Sequence, residues 1–149
     1  MSNLGSKRAV PSAATQRVRD ACLCLHVQRA ARALARRFDE VFRPLDLTNG
    51  QFSLLMALNR PEPASLGGVA ALLAMDRTTL TAALKPLQRR GLVKIAVDRQ
   101  DRRGRRLSLT GAGRALLAKA LPLWTETHNA IERQLAAPDD LRTALRALA

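Results

Sequence analysis

This sequence has few aromatic residues and few cysteines, and it contains no long apolar run. Of its 149 residues, three are Phe, one is Trp and none is Tyr. RNA-binding surfaces usually stack bases on exposed aromatic rings, so the lack of such rings in the basic region disfavours RNA recognition. No run of about 18 apolar residues occurs, which excludes a transmembrane helix. The two cysteines, Cys22 and Cys24, are too few for a disulfide framework.

The sequence also lacks the motifs of common enzymes. It has no His/Cys cluster with metal-ligand spacing, no glycine-rich phosphate loop and no nucleophile motif. We therefore expect neither an enzyme nor a bound metal or cofactor. Residues 1–16 lack the apolar core of a secretory signal. We interpret them as a flexible N-terminal arm of a cytoplasmic protein that does not associate with membranes.

The charge of the chain is strongly one-sided. Lys and Arg number 25 against 12 Asp and Glu, which gives a formal net charge of +13. The excess is concentrated between Lys85 and Arg106, where nine basic residues face only Asp98 and Asp101. A localised positive charge of this size predicts a polyanionic partner, whereas a general solubilising surface would be of mixed sign.

Apolar spacing and capping residues predict a mainly α-helical fold with a small β-wing. Thr48 and Gln51 form a possible capping box, Asp76 is a typical N-cap, and Gly91 ends the helix that begins there. We predict helices over residues 18–43, 48–59, 65–73, 76–90, 111–135 and 139–148, and strands over residues 92–97 and 106–110. The third and fourth helices form a helix-turn-helix. With the basic hairpin that follows, they predict a winged helix that places one helix in a DNA groove.

The predicted recognition helix carries its candidate DNA contacts at its N-terminus. Arg77 has the length and the fork to read guanine. Short hydroxyls beside it suit contacts with bases or phosphates, because a helix N-terminus attracts anions. The candidates on this helix are Arg77, Thr78, Thr79, Thr81 and Lys85. Simple N-terminal capping is the alternative interpretation of the hydroxyls, and we expect Arg89 and Arg90 to meet the phosphate backbone or solvent.

The predicted wing is an arginine-rich turn around Gly104. An arginine gains from the negative potential of a narrow minor groove. The candidate wing contacts are Arg99, Arg102, Arg103 and Arg105. Asp101 would repel phosphates, so we expect it to brace the wing, most simply through an internal salt bridge. Replacement of Lys94 or Arg106 is expected to change base preference little.

Three ordered motifs resemble those of the MarR (multiple-antibiotic-resistance regulator) family. The stretch DRRG at residues 101–104, followed by LSLT at 107–110, resembles the wing signature of this family. LTNGQF at residues 47–52 resembles the entry to its second helix, and DRTTLT at 76–81 resembles its recognition helix. The likeness spans roughly residues 20–148.

This resemblance implies a homodimer formed through the N- and C-terminal helices. The expected organisation is a single domain with an arm at 1–16, dimerisation helices at 17–45 and 111–149, and a winged helix-turn-helix at 46–110. Such proteins bind a pseudo-palindromic double-stranded DNA operator and usually repress a nearby gene. The family pattern also gives Asp101 the role of wing brace and lets Arg103 support the wing or enter the minor groove.

The resemblance further implies a small effector, commonly an aromatic or phenolic anion. Apolar side chains with a few cationic anchors would suit it. The candidate ligand-binding residues are His26, Arg29, Phe52, Met56 and Trp124. Each of them is alternatively an ordinary core or surface residue.

A thiol-based redox sensor that uses Cys22 or Cys24 is a second possibility. Residues two apart in a helix point about 200° apart, so we expect these thiols neither to hold one metal ion nor to form a strain-free disulfide. Small apolar filler is the simpler interpretation of both cysteines. A non-specific nucleic-acid-binding protein is the third alternative.

Overall fold

The structure is a computed structural model that describes residues 9–149. The chain divides into two compact units, which meet between Ala35 and Arg36. Of the predicted arm, residues 1–8 lie outside the described part, and the first helix, α1 (Ser12–Ala21), begins within the remainder. No helix in residues 9–149 is both long enough and apolar enough to span a bilayer.

The first unit corrects the prediction of one continuous helix from Val18. The chain leaves the helical conformation at Cys22, where ψ is 108°, and α2 (Leu23–Phe42) starts immediately after it. The imidazole Nε2 of His26 lies 2.9 Å from the carbonyl oxygen of Asp20, so a hydrogen bond spans the break. Neither Pro nor Gly occurs there, so no local signal in the sequence predicts this break.

In the second unit, α2 ends in a 3-10 turn (Arg43–Leu45) that contains Pro44, and α3 (Asn49–Ala57) follows. The predicted capping box is present. The backbone N–H of Gln51 donates to the Thr48 hydroxyl and the Gln51 side chain accepts from the Thr48 backbone N–H, both at 3.1 Å. The turn between the two helices is closed by Asp46, which is left-handed with φ 51°.

The helix-turn-helix consists of α4 (Leu66–Leu72) and α5 (Arg77–Arg89). Ser65 and Asp76 cap the two helices through bonds to backbone N–H groups, and for Asp76 this confirms the prediction. Pro86 lies inside α5, and the helix continues through it to Arg89. Buried Leu80, Leu84 and Leu87 hold this helix against the core of the unit.

Three short antiparallel strands complete the winged helix. These are β1 (Ala64–Ser65), β2 (Val93–Val97) and β3 (Arg105–Leu109), and β3 lies in the middle. The pair Val93–Leu109 opens the β2–β3 hairpin, and Ala64 lies opposite Leu107. Strand β1 was not predicted, because two residues after a proline-rich turn have no periodicity of their own.

Two helices follow the wing, α6 (Gly111–Glu132) and α7 (Pro138–Arg146). The hydroxyl of Thr110 caps α6 by accepting from the N–H of Gly113 at 3.0 Å, and Pro122 lies inside that helix. Buried Leu117 and Ala120 join the core of the second unit. The mainly helical winged helix-turn-helix predicted from the sequence is confirmed.

Candidate nucleic-acid interface

The start of α5 is built by its N-cap. The Asp76 carboxylate accepts from the Thr79 backbone N–H at 2.8 Å and from the Thr79 hydroxyl at 2.7 Å. These hydrogen bonds, first the one from the backbone, lower the pKa of Asp76 below its ordinary value. The Thr79 hydroxyl thus already donates its hydrogen bond to Asp76, which supports the capping interpretation of this residue.

Arg77 reaches from α5 across the start of α4. A Cβ added at Gly67 would lie 2.8 Å from one Nη of Arg77, so the missing side chain at Gly67 leaves room for the guanidinium. Arg77 also lines a crevice together with Arg103, Gly104 and Arg105 of the wing. The first residue of α5 and the wing therefore border one crevice.

The remaining candidates on α5 share one exposed face. Thr78, Thr81 and Lys85 line a shallow surface depression together with Arg77. The Thr81 hydroxyl donates to the carbonyl oxygen of Arg77 at 2.8 Å, which fixes its rotamer and leaves its oxygen lone pairs outward. Such a face can offer one cationic fork, one ammonium group and two small polar groups to a DNA groove.

Asp98, and not Asp101, makes the ion pair within the wing. The two carboxylate oxygens of Asp98 accept from the Gln100 backbone N–H at 2.9 Å and from Arg106 Nε at 3.0 Å. The side chain of Asp98 is only 16% exposed. These contacts, first the one with Gln100, hold the pKa of Asp98 below its usual value. Arg106 is therefore a structural partner of the wing, and the expectation that its replacement changes base preference little stays a prediction.

Asp101 acts more locally. Its carboxylate accepts from the Arg103 backbone N–H at 3.0 Å, and its carbonyl oxygen accepts from the Gly104 N–H at 2.8 Å. Within residues 9–149 it takes part in no ion pair, because its partners are backbone groups of the turn. A short acidic residue two positions before an N–H is a common turn-forming pattern, which the spacing to Arg103 already contained.

The wing arginines divide into two groups. Arg105 donates from Nη1 to the carbonyl oxygens of Arg102 and Gly104, at 3.3 and 3.1 Å. The guanidinium groups of Arg99, Arg102 and Arg103 are exposed and make no hydrogen bond or ion pair to any described residue. These three side chains carry free charge at the tip of the hairpin.

Three of the five candidate ligand residues meet at an apolar pocket of about 370 Å³. Phe52, Met56 and Trp124 line it, and Leu72 and Leu121 complete much of its wall. His26 and Arg29 belong to the first unit, where both are exposed on α2. The pocket could hold a small apolar or aromatic molecule, and it lacks a charged lining group.

Phe52 and Trp124, which line this pocket, belong to a stack of aromatic rings. Phe38, Phe42, Phe52 and Trp124 follow one another with ring centroids 5.9, 4.7 and 6.4 Å apart. The ring of His128 lies 4.4 Å beyond Trp124. All three phenylalanines and the only tryptophan thus form one series, so the fluorescence of Trp124 reports on the pocket.

The cysteines differ in their surroundings. Cys22 is half-buried at the break between α1 and α2, and its sulfur accepts from the Leu25 backbone N–H at 3.5 Å. Cys24 is exposed on α2, and its sulfur accepts from Gln28 Nε2 at 3.1 Å. Since Cys22 is not helical, the helical geometry used against a bridge between the two thiols does not apply.

Comparison with known proteins gives consistent matches. The family model described as MarR family matches residues 45–104. The crystal structure of the transcriptional regulator MosR of M. tuberculosis in complex with DNA is 35% identical and has a TM-score of 0.80. The match covers 85% of this chain and 92% of the MosR chain. The transcriptional repressor CouR, bound to a 23-mer DNA duplex, is 30% identical, with a TM-score of 0.72 and coverage of 88% of this chain and 92% of that one.

A curated relative is the HTH-type transcriptional regulator TtmR of Methylorubrum extorquens, 36% identical over 100 residues. That match covers 67% of this chain and 51% of TtmR, so the chain spans about half the length of this relative. These relatives are named as transcriptional regulators, in agreement with the prediction that the chain is not an enzyme. The identity and coverage shared with MosR and the family-model match together show that the chain belongs to the MarR family of winged-helix transcriptional regulators.

Proposed function

We propose that this protein is a transcriptional regulator that binds double-stranded DNA in a sequence-specific manner. The observation that carries the proposal is that Arg77 of α5 lines one crevice together with Arg103 and Arg105 of the wing; Asp98 and Asp101 also line it. A DNA duplex bound to this surface would hold α5 in its major groove, and the wing would lie beside that groove. Phosphate contacts by wing and helix cations would set the register, and Arg77 would read a base edge.

The solved complexes of MosR and CouR support this proposal, since both relatives are described as bound to DNA. The net charge of +13 supports it as well. Binding through several phosphates releases counterions, so affinity should fall steeply as salt rises. A non-specific nucleic-acid protein would share that salt dependence but would not distinguish one sequence from another.

The experiment is selection of duplexes from a random-sequence library with the purified protein, followed by affinity measurement. We expect enrichment of an inverted repeat with half-sites about one helical turn apart. At about 150 mM salt the enriched duplex should bind roughly 10³-fold or more tightly than a scrambled one. Equal affinities for the two duplexes would reject sequence-specific regulation and favour the non-specific alternative.

A homodimer through the terminal helices is part of this proposal. Leu141, Leu145 and Leu148 are 44%, 41% and 64% exposed on α7 and its C-terminal extension, and Leu34 on α2 is 42% exposed. Exposed large apolar side chains at such spacing favour a protein partner. Sedimentation should give a dimer at micromolar concentration, and Leu141→Asp with Leu145→Asp should give monomers. A wild-type monomer would contradict this part.

Repression relieved by a small aromatic ligand is the proposed mode of control. The apolar pocket beside Trp124 supports it, and the missing charged lining group leaves the anionic character of the ligand to experiment. A panel of benzoates and neutral phenols should include compounds that change Trp124 fluorescence and weaken operator binding. Transcription in vitro from a promoter that overlaps the selected site should fall when the protein is added; a rise would identify an activator.

The thiol-based alternative is favoured by one observation, the non-helical Cys22 whose sulfur accepts from Leu25 N–H. Oxidation there would remove a contact at the start of α2. Peroxide should then lower the operator affinity of the wild type but not of a Cys22→Ser, Cys24→Ser variant. Unchanged wild-type affinity after peroxide treatment would eliminate redox sensing.

A further inference from the structure

Arg90 differs from the other basic residues near the end of α5. Its Nη1 donates to the backbone carbonyl oxygen of Asp46 at 2.6 Å, 44 positions earlier in the chain. Its Nη2 lies 4.0 Å from the Asp46 carboxylate, which is 97% exposed, whereas the Arg90 side chain is 32% exposed. The carbonyl is thus the principal partner, because an ion pair at that distance in water contributes little.

The acceptor is held in place by the turn after α2. Asp46 is left-handed, its N–H donates to the Arg43 carbonyl at 2.9 Å, and the next residue, Leu47, is buried. The N–H of Leu47 donates back to Phe42 at 3.4 Å. These contacts fix both peptide units around Asp46, so its carbonyl points in a defined direction.

The donor is equally well placed by the end of α5. Gly91, with φ 69°, donates to the Gln88 carbonyl at 2.9 Å, and Leu92 donates to Leu87 at 3.0 Å. Leu87 and Leu92 are both buried. This pair of bonds is the Schellman motif of a helix that stops at a glycine. The Arg90 side chain therefore connects two rigid points, the end of the recognition helix and the turn between α2 and α3.

We propose that Arg90 is a positioning residue for DNA recognition. It fastens the C-terminal end of α5 to the carbonyl of Asp46 and thereby fixes the angle at which the N-terminal side chains of α5 are presented to bases. This inference rests on the proposed function and replaces the expectation that Arg90 contacts phosphate. A charged donor bound to a carbonyl oxygen is one of the stronger single hydrogen bonds, which suits such a fastening.

Arg89 provides a matched control. It is the adjacent residue, carries the same charge, is exposed, and makes no polar contact with any described side chain. Arg89→Ala and Arg90→Ala are compared on the duplex selected by the wild type and on a scrambled duplex, each at several salt concentrations. The readouts are the salt slope of log K and the ratio of selected to scrambled affinity.

Arg90→Ala is expected to keep the wild-type salt slope and to lower the affinity ratio about tenfold or more, the order expected for a lost charge-assisted hydrogen bond. If Arg89 contacts phosphate, Arg89→Ala lowers the slope by about 0.9 and leaves the ratio unchanged. The proposal is overturned if Arg90→Ala shows that same pattern, or if its ratio equals that of the wild type.

Two further variants keep the test decisive. Arg90→Lys retains the charge but replaces the guanidinium with a shorter ammonium side chain, so the contact with the Asp46 carbonyl is lost and its ratio should also fall; a wild-type ratio would overturn the assignment of this contact. Asp46→Gly retains the carbonyl in a conformation that glycine favours, so its ratio should not change, and a fall equal to that of Arg90→Ala would make the carboxylate the partner. If the wild type itself shows no sequence preference, the proposed function fails, and the slopes on scrambled DNA still decide whether Arg90 contacts phosphate.

Discussion

The packing at the base of the wing requires that Gly113, in the first turn of α6, has no side chain. A Cβ at this position would overlap the carbonyl oxygen of Leu92 and would lie 3.1 Å from the carbonyl carbon and 3.3 Å from Cδ2 of Leu109. The Leu92 carbonyl already accepts from the Thr110 N–H at 3.1 Å, where the wing strands meet α6. Backbone cannot rotate aside as a side chain can, so Gly113→Ala must move α6 or the hairpin.

The expected cost of Gly113→Ala is about 3 kcal/mol, the upper part of the range for overpacking a well-packed site. For a chain of about this length, 1 kcal/mol corresponds to roughly 2–4 °C in Tm, so the expected loss is about 6–12 °C. Gly111→Ala is the control, since a Cβ there meets nothing within 4 Å. Its better helix propensity should leave Tm unchanged or raise it slightly.

The assay is thermal unfolding followed by far-ultraviolet circular dichroism, at one fixed protein concentration because a dimer makes Tm depend on concentration. Indistinguishable Tm values for Gly113→Ala and Gly111→Ala would refute the reasoning. That outcome would show that α6 is not held against Leu92 as closely as the structure has it.

Three further predictions concern the helix start and the wing. The pKa of Asp76 is lowered in the folded protein, so its cap stabilises the fold above the unfolded carboxyl pKa near 4, and this contribution is lost as pH falls through the folded pKa. The free energy of unfolding of Asp76→Asn should therefore fall less steeply in acid than that of the wild type. An unchanged acid dependence would contradict this. Asp98→Ala should speed amide exchange across the wing turn about tenfold, because two tethers are lost, whereas Asp101→Ala should affect only its own turn; identical NMR exchange maps for the two variants would contradict this difference. Arg77→Ala should lower the preference for the selected duplex about tenfold, while Lys94→Ala should leave the preference unchanged, as measured by competition binding.

The helix starts could be predicted because their determinants are local. The caps at Thr48, Ser65, Asp76 and Thr110 each bind an N–H three positions ahead. A pattern that spans four residues can be recognised in the sequence, because it does not depend on the rest of the fold. The end of α5 at Gly91 is legible for the same reason, since a left-handed residue after a helix is usually glycine.

Features that depend on distant residues were missed. No proline or glycine marks the break at Cys22 in the sequence. Strand β1 exists only because Ser65 lies opposite Arg106 in β3. Asp98 and Asp101 look alike in the sequence. Only the hairpin register, which brings Asp98 beside Arg106, shows which of them forms the ion pair.

The same distinction applies to the candidate site. All nine predicted DNA contacts are exposed, and the order of helix, turn, helix and hairpin places them on the helix-turn-helix and the wing. The sequence could not separate side chains that are free from those already bound, such as the Thr79 hydroxyl or the guanidinium of Arg90. Their partners are fixed by rotamers and by tertiary packing, which no spacing rule describes.

The central claim is that the wing tip and the recognition helix bind one duplex together. Its most direct test is the salt dependence of binding to the selected duplex by a variant that lacks three free wing charges, Arg99→Ala with Arg102→Ala and Arg103→Ala. The matched control removes three exposed cations elsewhere in the second unit, Arg60, Lys119 and Arg133. The account predicts that the wing variant lowers the slope by up to about 2.7, since each lost phosphate contact contributes about 0.9, and that the control keeps the wild-type slope. Equal slopes for the two variants would contradict it.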